Sequence, residues 1–88
     1  MSDHRISVLL IEDNPIHARL LQNLLAEVRS PVFELETVDR LASGLERLAQ
    51  GGIDVVLLDL VLPDSQELET FIRVRAQVTD IPIIILTG

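Results

Sequence analysis

Three carboxylates stand where short apolar runs end. Glu12 and Asp13 follow the run 6–11, and Asp59 follows the run 54–58. A hydroxyl, Thr87, follows a further run at 81–86. Carboxylates gathered in one place either bind a cation or raise one another's pKa, because like charges at short range disfavour ionisation. Oxygen donors without His or Cys favour a hard cation, and Mg²⁺ suits a site that supplies few protein oxygens and leaves the rest to water. Singly, each acid is what a solvated loop carries. Together at the ends of neighbouring strands they make a site.

The elements that must position these groups follow from hydrophobic spacing. Residues 6–11 are apolar and rich in β-branched side chains, as in a strand buried on both faces. Asn14 is a good N-cap and Pro15 suits a first helical position, so a helix begins there. Its Ile16, Leu20, Leu24 and Val28, flanked by Leu21 and Leu25, form one stripe, and Ser30-Pro31 ends it. The alternation in 32–38 predicts a half-exposed strand. Asp39 is placed to cap a second helix that turns Leu41, Leu45 and Leu48 inward and stops at Gly51-Gly52. Residues 54–58 form another buried strand. A third helix with Leu68, Phe71, Ile72 and Val78 inward leads to a last strand at 81–86.

The order βαβαβαβ predicts an α/β fold: a doubly wound parallel sheet with helices on both faces. If the strand order is 2-1-3-4, the first and third strands are neighbours at the switch point. Ligands bind in such folds at the carboxyl ends of the strands, where Glu12, Asp13 and Asp59 then converge.

Composition removes several classes. Fourteen acids against seven bases give a net charge of −7, and all seven bases are Arg. An acidic chain without a basic run is not expected to bind nucleic acid directly, since such binding neutralises phosphates. With no Cys, disulfide scaffolds, thiolate metal sites and Cys nucleophiles are excluded. No apolar run approaches the ~20 residues of a membrane span. The opening Met-Ser-Asp-His-Arg lacks the basic and apolar regions of a signal peptide, so a cytoplasmic location is expected.

The chain resembles the receiver domain of two-component response regulators, a flavodoxin-like fold. The resemblance is carried by Val8-Leu9-Leu10-Ile11-Glu12-Asp13-Asn14-Pro15, by Val55-Val56-Leu57-Leu58-Asp59-Leu60-Val61-Leu62-Pro63-Asp64, and by Pro82-Ile83-Ile84-Ile85-Leu86-Thr87-Gly88. It implies that Glu12 and Asp13 hold Mg²⁺ together with Asp59 and the backbone carbonyl of Val61. It implies that Asp59 is the phosphoacceptor and that the Thr87 hydroxyl bonds the arriving phosphoryl group. The implied partners are a sensor histidine kinase or phosphotransfer protein and an output domain. The implied chemistry is self-phosphorylation at most, not turnover of a substrate.

The sequence also departs from that family. It contains no Lys, whereas receivers carry one at the end of a fifth strand. Gln66-Glu67 stand where the family has a Gly a few residues beyond the Pro. The expectation is a single domain, 1–88, C-terminally truncated after the fourth strand and lacking the fifth strand and last two helices. Its exposed fourth-strand edge is expected to join a homo-oligomer. The alternative is a receiver remnant that is not phosphorylated and acts as a dimerisation or interaction module.

Two other readings fail on particular residues. Aspartate-phosphorylating hydrolases place a second acid two residues after the first, where this chain has Val61. Phosphate-loop and dinucleotide folds need a Gly-rich turn after the first strand, where Asp13-Asn14-Pro15 provides none. His17 reads as an exposed surface side chain, Asp64 as a turn or cap residue, Phe71 as core, and Arg73 and Arg75 as solvated.

Overall fold

The computed structural model describes residues 4–86, so Thr87 lies outside the described residues. Four parallel strands form the main sheet: β1 (Arg5–Ile11), β2 (Val32–Val38), β3 (Val55–Asp59) and β6 (Ile83–Leu86), in the order β2-β1-β3-β6. This is the expected 2-1-3-4 arrangement, with a small addition. Two short strands, β4 (Val61–Leu62) and β5 (Ser65–Gln66), pair antiparallel as a hairpin after β3. The helices are α1 (Pro15–Ala26), α2 (Leu41–Ala49) and α3 (Glu67–Gln77).

β1 sits at the centre because it can be buried on both sides. Val8, Leu9, Leu10 and Ile11 expose 2% of their surface or less. The crossovers from β1 to β2 and from β2 to β3 run in opposite directions across the sheet. Right-handed crossovers then put α1 on one face and α2 on the other. Leu9, Ile11, Val56 and Leu58 share a face and pack with Leu41, Leu48, Val74 and Val78 of the α2–α3 layer. Full burial of one such side chain contributes about 1.5–3 kcal/mol, so this layer dominates the stability of the unit. Gly44 lets α2 close on β1: a Cβ built there would lie 2.5 Å from Ile11 Cδ1.

The opposite face is barely covered. α1 has no buried residue, and Ile16, Leu20 and Leu24 are each more than half exposed. Periodicity marks which side of a helix is apolar but not what lies against it. Among the described residues no second helix packs beside that stripe. α3 differs from expectation too. Thr70 and Val74 are buried, whereas Leu68 and Ile72 are exposed. The helix is rotated so that Thr70 faces inward, a position its hydroxyl can hold because its hydrogen bonds are satisfied there.

Capping follows the sequence at one helix and departs from it at another. Asn14 Oδ1 accepts from the N–H groups of Ile16 (2.9 Å) and His17 (3.4 Å), as a good N-cap should. At α2, Asp39 does not cap. Its carboxylate accepts from Arg40 Nε, while the N–H groups of Leu41 and Ala42 donate to Asp64, 23 and 22 residues away (2.7 and 2.9 Å). The far end of α2 stops at Gly51 and Gly52, with φ of 78° and 86°, which Gly adopts without steric cost.

Glu67, the residue that opens α3, has φ of 57°. An L-residue in that region pays about 1–2 kcal/mol for the approach of Cβ to the carbonyl oxygen. A Gly there removes the clash but adds unfolded-state entropy worth about 0.4–1 kcal/mol. Glu67→Gly should therefore raise stability by about 0.5–1 kcal/mol, read as a higher urea midpoint at unchanged slope. A lower midpoint would show that Glu67 carries no strain.

Candidate functional site

The acidic residues owe their meeting to strand register. β1 pairs with β3 so that Ile11 lies opposite Leu58, which puts residue 12 and residue 59 at adjacent strand ends. Glu12 extends the ladder on the other side, its N–H donating to the Val38 carbonyl (3.0 Å). One carboxylate oxygen from each of Glu12, Asp13 and Asp59 lies within 4.8 Å of the others. Asp13 is exposed, Asp59 half-buried and Glu12 buried.

Two of the three acids are held by the backbone that follows them. Glu12 Oε2 accepts from the N–H of Asn14 (3.2 Å), and Asp59 Oδ1 accepts from the N–H of Val61 (3.0 Å). Burial pushes the Glu12 carboxyl above the ordinary carboxylate range, and its hydrogen bond with Asp59 and the charge there push it further. The Asn14 N–H and the nearby His17 oppose this only in part. His17 Nδ1 stands 3.9 Å from Glu12 Oε1. Among the described residues no Arg pairs with any of the three acids; Arg5, Arg40 and Arg47 pair instead with Glu34, Asp39 and Glu36.

The triad opens into a cavity of about 560 Å³, lined on the α1 side by His17 and Leu20 and on the sheet side by Val61 and Leu86. Its oxygens without a counter-charge suit a divalent cation, and Mg²⁺ accepts few protein oxygens. Among the residues expected at the site, Glu12, Asp13, Asp59 and Val61 all line this cavity.

The loop between β3 and α3 is fixed by residues that sequence reasoning did not assign to the site. The Leu60 carbonyl accepts from both the Glu67 N–H (2.7 Å) and the Thr70 hydroxyl (2.9 Å). Ser65 Oγ lies 2.8 Å from the same hydroxyl. Thr70 stands four residues before Val74, on the same face of the helix, and that spacing was the available signal. Asp64 was read as a turn or cap residue, but the helix it caps was not foreseen.

Comparison with known proteins agrees with this geometry. The family model "Response regulator receiver domain" matches residues 8–88. The chain is similar to the swarming motility regulation protein RssB of Serratia marcescens, 39% identical over 83 residues, covering 94% of this chain and 36% of that protein. It is also similar to the KDP operon transcriptional regulatory protein KdpE of Escherichia coli, 38% identical over 82 residues, covering 93% and 35%. Thus the chain spans about a third of the length of these relatives. Among solved structures, it superposes on a chain from the histidine kinase ThkA in complex with the response regulator protein TrrA. That match has a TM-score of 0.81 at 29% identity, covering 94% of this chain and 69% of the other. A match that takes in both acidic strand ends and the whole β3–α3 loop leaves one conclusion: this chain belongs to the response regulator receiver domain family.

Proposed function

We propose that Asp59 accepts a phosphoryl group from a histidine kinase or phosphotransfer protein, at a site that also binds Mg²⁺. The observation that carries this reading is the meeting of three carboxylates at the ends of β1 and β3 with no Arg paired to them among the described residues. Glu12, Asp13, Asp59 and the Val61 carbonyl would hold the cation. When bound, it would offset negative charge on the phosphoryl oxygens.

The chain's own groups do the rest. The Val61 N–H fixes one oxygen of Asp59, leaving the other as nucleophile. That oxygen forms the new P–O bond as the P–N bond of a phosphohistidine breaks, and the imidazole leaves with the electron pair. Positioning and electrostatics account for most of catalysis in such transfers. The Thr87 hydroxyl would follow the phosphoryl group and relay its presence to an output domain. Residues 1–88 act on this reading as one receiver unit, a phosphoacceptor rather than an enzyme, in the cytoplasm. The match to a chain from a kinase–regulator complex supports the kinase as partner.

The free edge of β6 supports a second part of the proposal, association of two copies through that strand. Among the described residues β6 pairs only with β3, and Ile84 and Ile85 are exposed by 51% and 41%. Such an edge is a template for another strand. A receiver remnant acting only as an interaction module would use the same edge without phosphorylation.

Acetyl phosphate and Mg²⁺ should add a single phosphate to the chain by mass spectrometry, and none to Asp59→Asn. Labelling that persists in Asp59→Asn would overturn the assignment. Asp13→Ala should weaken Mg²⁺ binding at least about tenfold, because it removes one of few protein oxygens; unchanged affinity would remove Asp13 from the site.

The raised Glu12 pKa has a sign that can be measured in metal-free protein. A carboxyl with a higher pKa folded than unfolded favours folding below the unfolded pKa, and that contribution is lost as pH rises through the folded value. Glu12→Gln should therefore be more resistant to urea than the parent at pH 7 and equal to it at pH 4. A parent at least as stable as the variant at pH 7 would contradict the shift.

Sedimentation at several concentrations should show concentration-dependent association, with slow amide exchange in Ile83–Leu86. A monomer at every concentration with those amides protected would exclude the β6 contact.

A further inference from the structure

The turn between β4 and β5 consists of Pro63 and Asp64, and strands of two residues each are too short to hold themselves in place. Its position must come from side chains. At its base, the Leu60 carbonyl is held by Glu67 and Thr70, and at its start the Val61 N–H is held by Asp59. Leu62 is 4% exposed and points into the α2–α3 layer. At its tip, Asp64 reaches the first turn of α2, where each carboxylate oxygen accepts one backbone N–H.

We propose that Asp64 is a positioning residue for the Asp59 site, binding the tip of this turn to the N-terminus of α2 so that Val61 keeps its place beside Asp59. The proposal rests on the reading of Asp59, Glu12 and Asp13 as a metal-binding phosphoacceptor site. One carboxylate serves two elements. α2 has no side-chain cap of its own, since Arg40 supplies none. Among the described residues the hairpin's other side-chain hydrogen bonds are at its two ends, Val61 N–H to Asp59 and Ser65 with Thr70, so Asp64 alone holds the tip. The positive end of the α2 dipole favours a carboxylate there. The two backbone N–H groups hold the Asp64 pKa below the ordinary range, keeping it ionised. The consequence is a mechanical link: a shift of α2's first turn is felt at Val61, and a change at Val61 is felt by α2.

A cap that matters only to α2 can be told apart from one that positions the turn. Asp64→Asn should speed amide exchange at Leu41, Ala42 and Val61, and weaken Mg²⁺ binding by about tenfold, as is usual when the support of a metal ligand is lost. Adding Arg40→Asn supplies a local N-cap to α2 from the residue whose extended backbone already suits one. In that double variant, protection at Leu41 and Ala42 and resistance to urea should recover, while fast exchange at Val61 and weak Mg²⁺ binding should remain. Recovery of all four together would overturn the proposal, as would unchanged Val61 exchange in Asp64→Asn. A parent chain without measurable Mg²⁺ affinity would overturn the metal reading instead, and Val61 exchange would still decide the role of Asp64.

Discussion

Because side chains alternate along a strand, a slip of one residue between β1 and β3 would turn every core residue of one strand toward the wrong face. It would also separate Glu12 from Asp59. The pairing of Ile11 with Leu58 is therefore the constraint on which both packing and site depend. It is enforced by burial: Leu9 and Ile11 meet Val56 and Leu58 on the face shared with α2 and α3, and none of the four is exposed. At the other end of the pair, Asp54 locks the same register. Its carboxylate accepts the Ser7 N–H and its own N–H donates to the Ser7 carbonyl, both at 2.8 Å.

That constraint explains how the acids can sit so close without an Arg among them. Gathering three carboxylates costs free energy, and aliphatic packing beneath supplies it. Glu12 bears most of the cost, since it is buried and shares a hydrogen bond with Asp59. The described ion pairs of Arg5 and Arg47 lie away from the crevice, where they join β1 and α2 to β2. Pairs as exposed as Arg5–Glu34 add little to stability.

What could be read in the sequence was what local chemistry determines. The apolar runs placed β1, β3 and β6 within a residue or two, Asn14-Pro15 marked the start of α1, and Gly51-Gly52 marked the end of α2. The convergence of Glu12, Asp13 and Asp59 followed once the sheet order was inferred. Features set by distant partners were not legible. Asp39 and Asp64 are chemically the same candidate cap for α2, and only the folded turn brings Asp64 within 2.7 Å of Leu41. The inward turn of Thr70 depends on a carbonyl ten residues earlier. The apolar stripe of α1 was found correctly, but spacing carries no information on whether anything covers it. Thr87 lies outside the described residues.

The two edges of the main sheet differ in kind. β2 presents Glu34 and Glu36 at one edge, each tied to an Arg, so that a strand arriving there would have to displace fixed charge. β6 presents only Ile and Leu at the other. A sheet with one receptive edge and one guarded edge has a built-in stop. If two copies meet through β6 as proposed, both receptive edges are consumed, and the enlarged sheet ends in β2 on either side. Growth on that proposal would close as a two-fold pair and not run on as a fibre, a polarity set by two glutamates and two arginines at the far side of the fold.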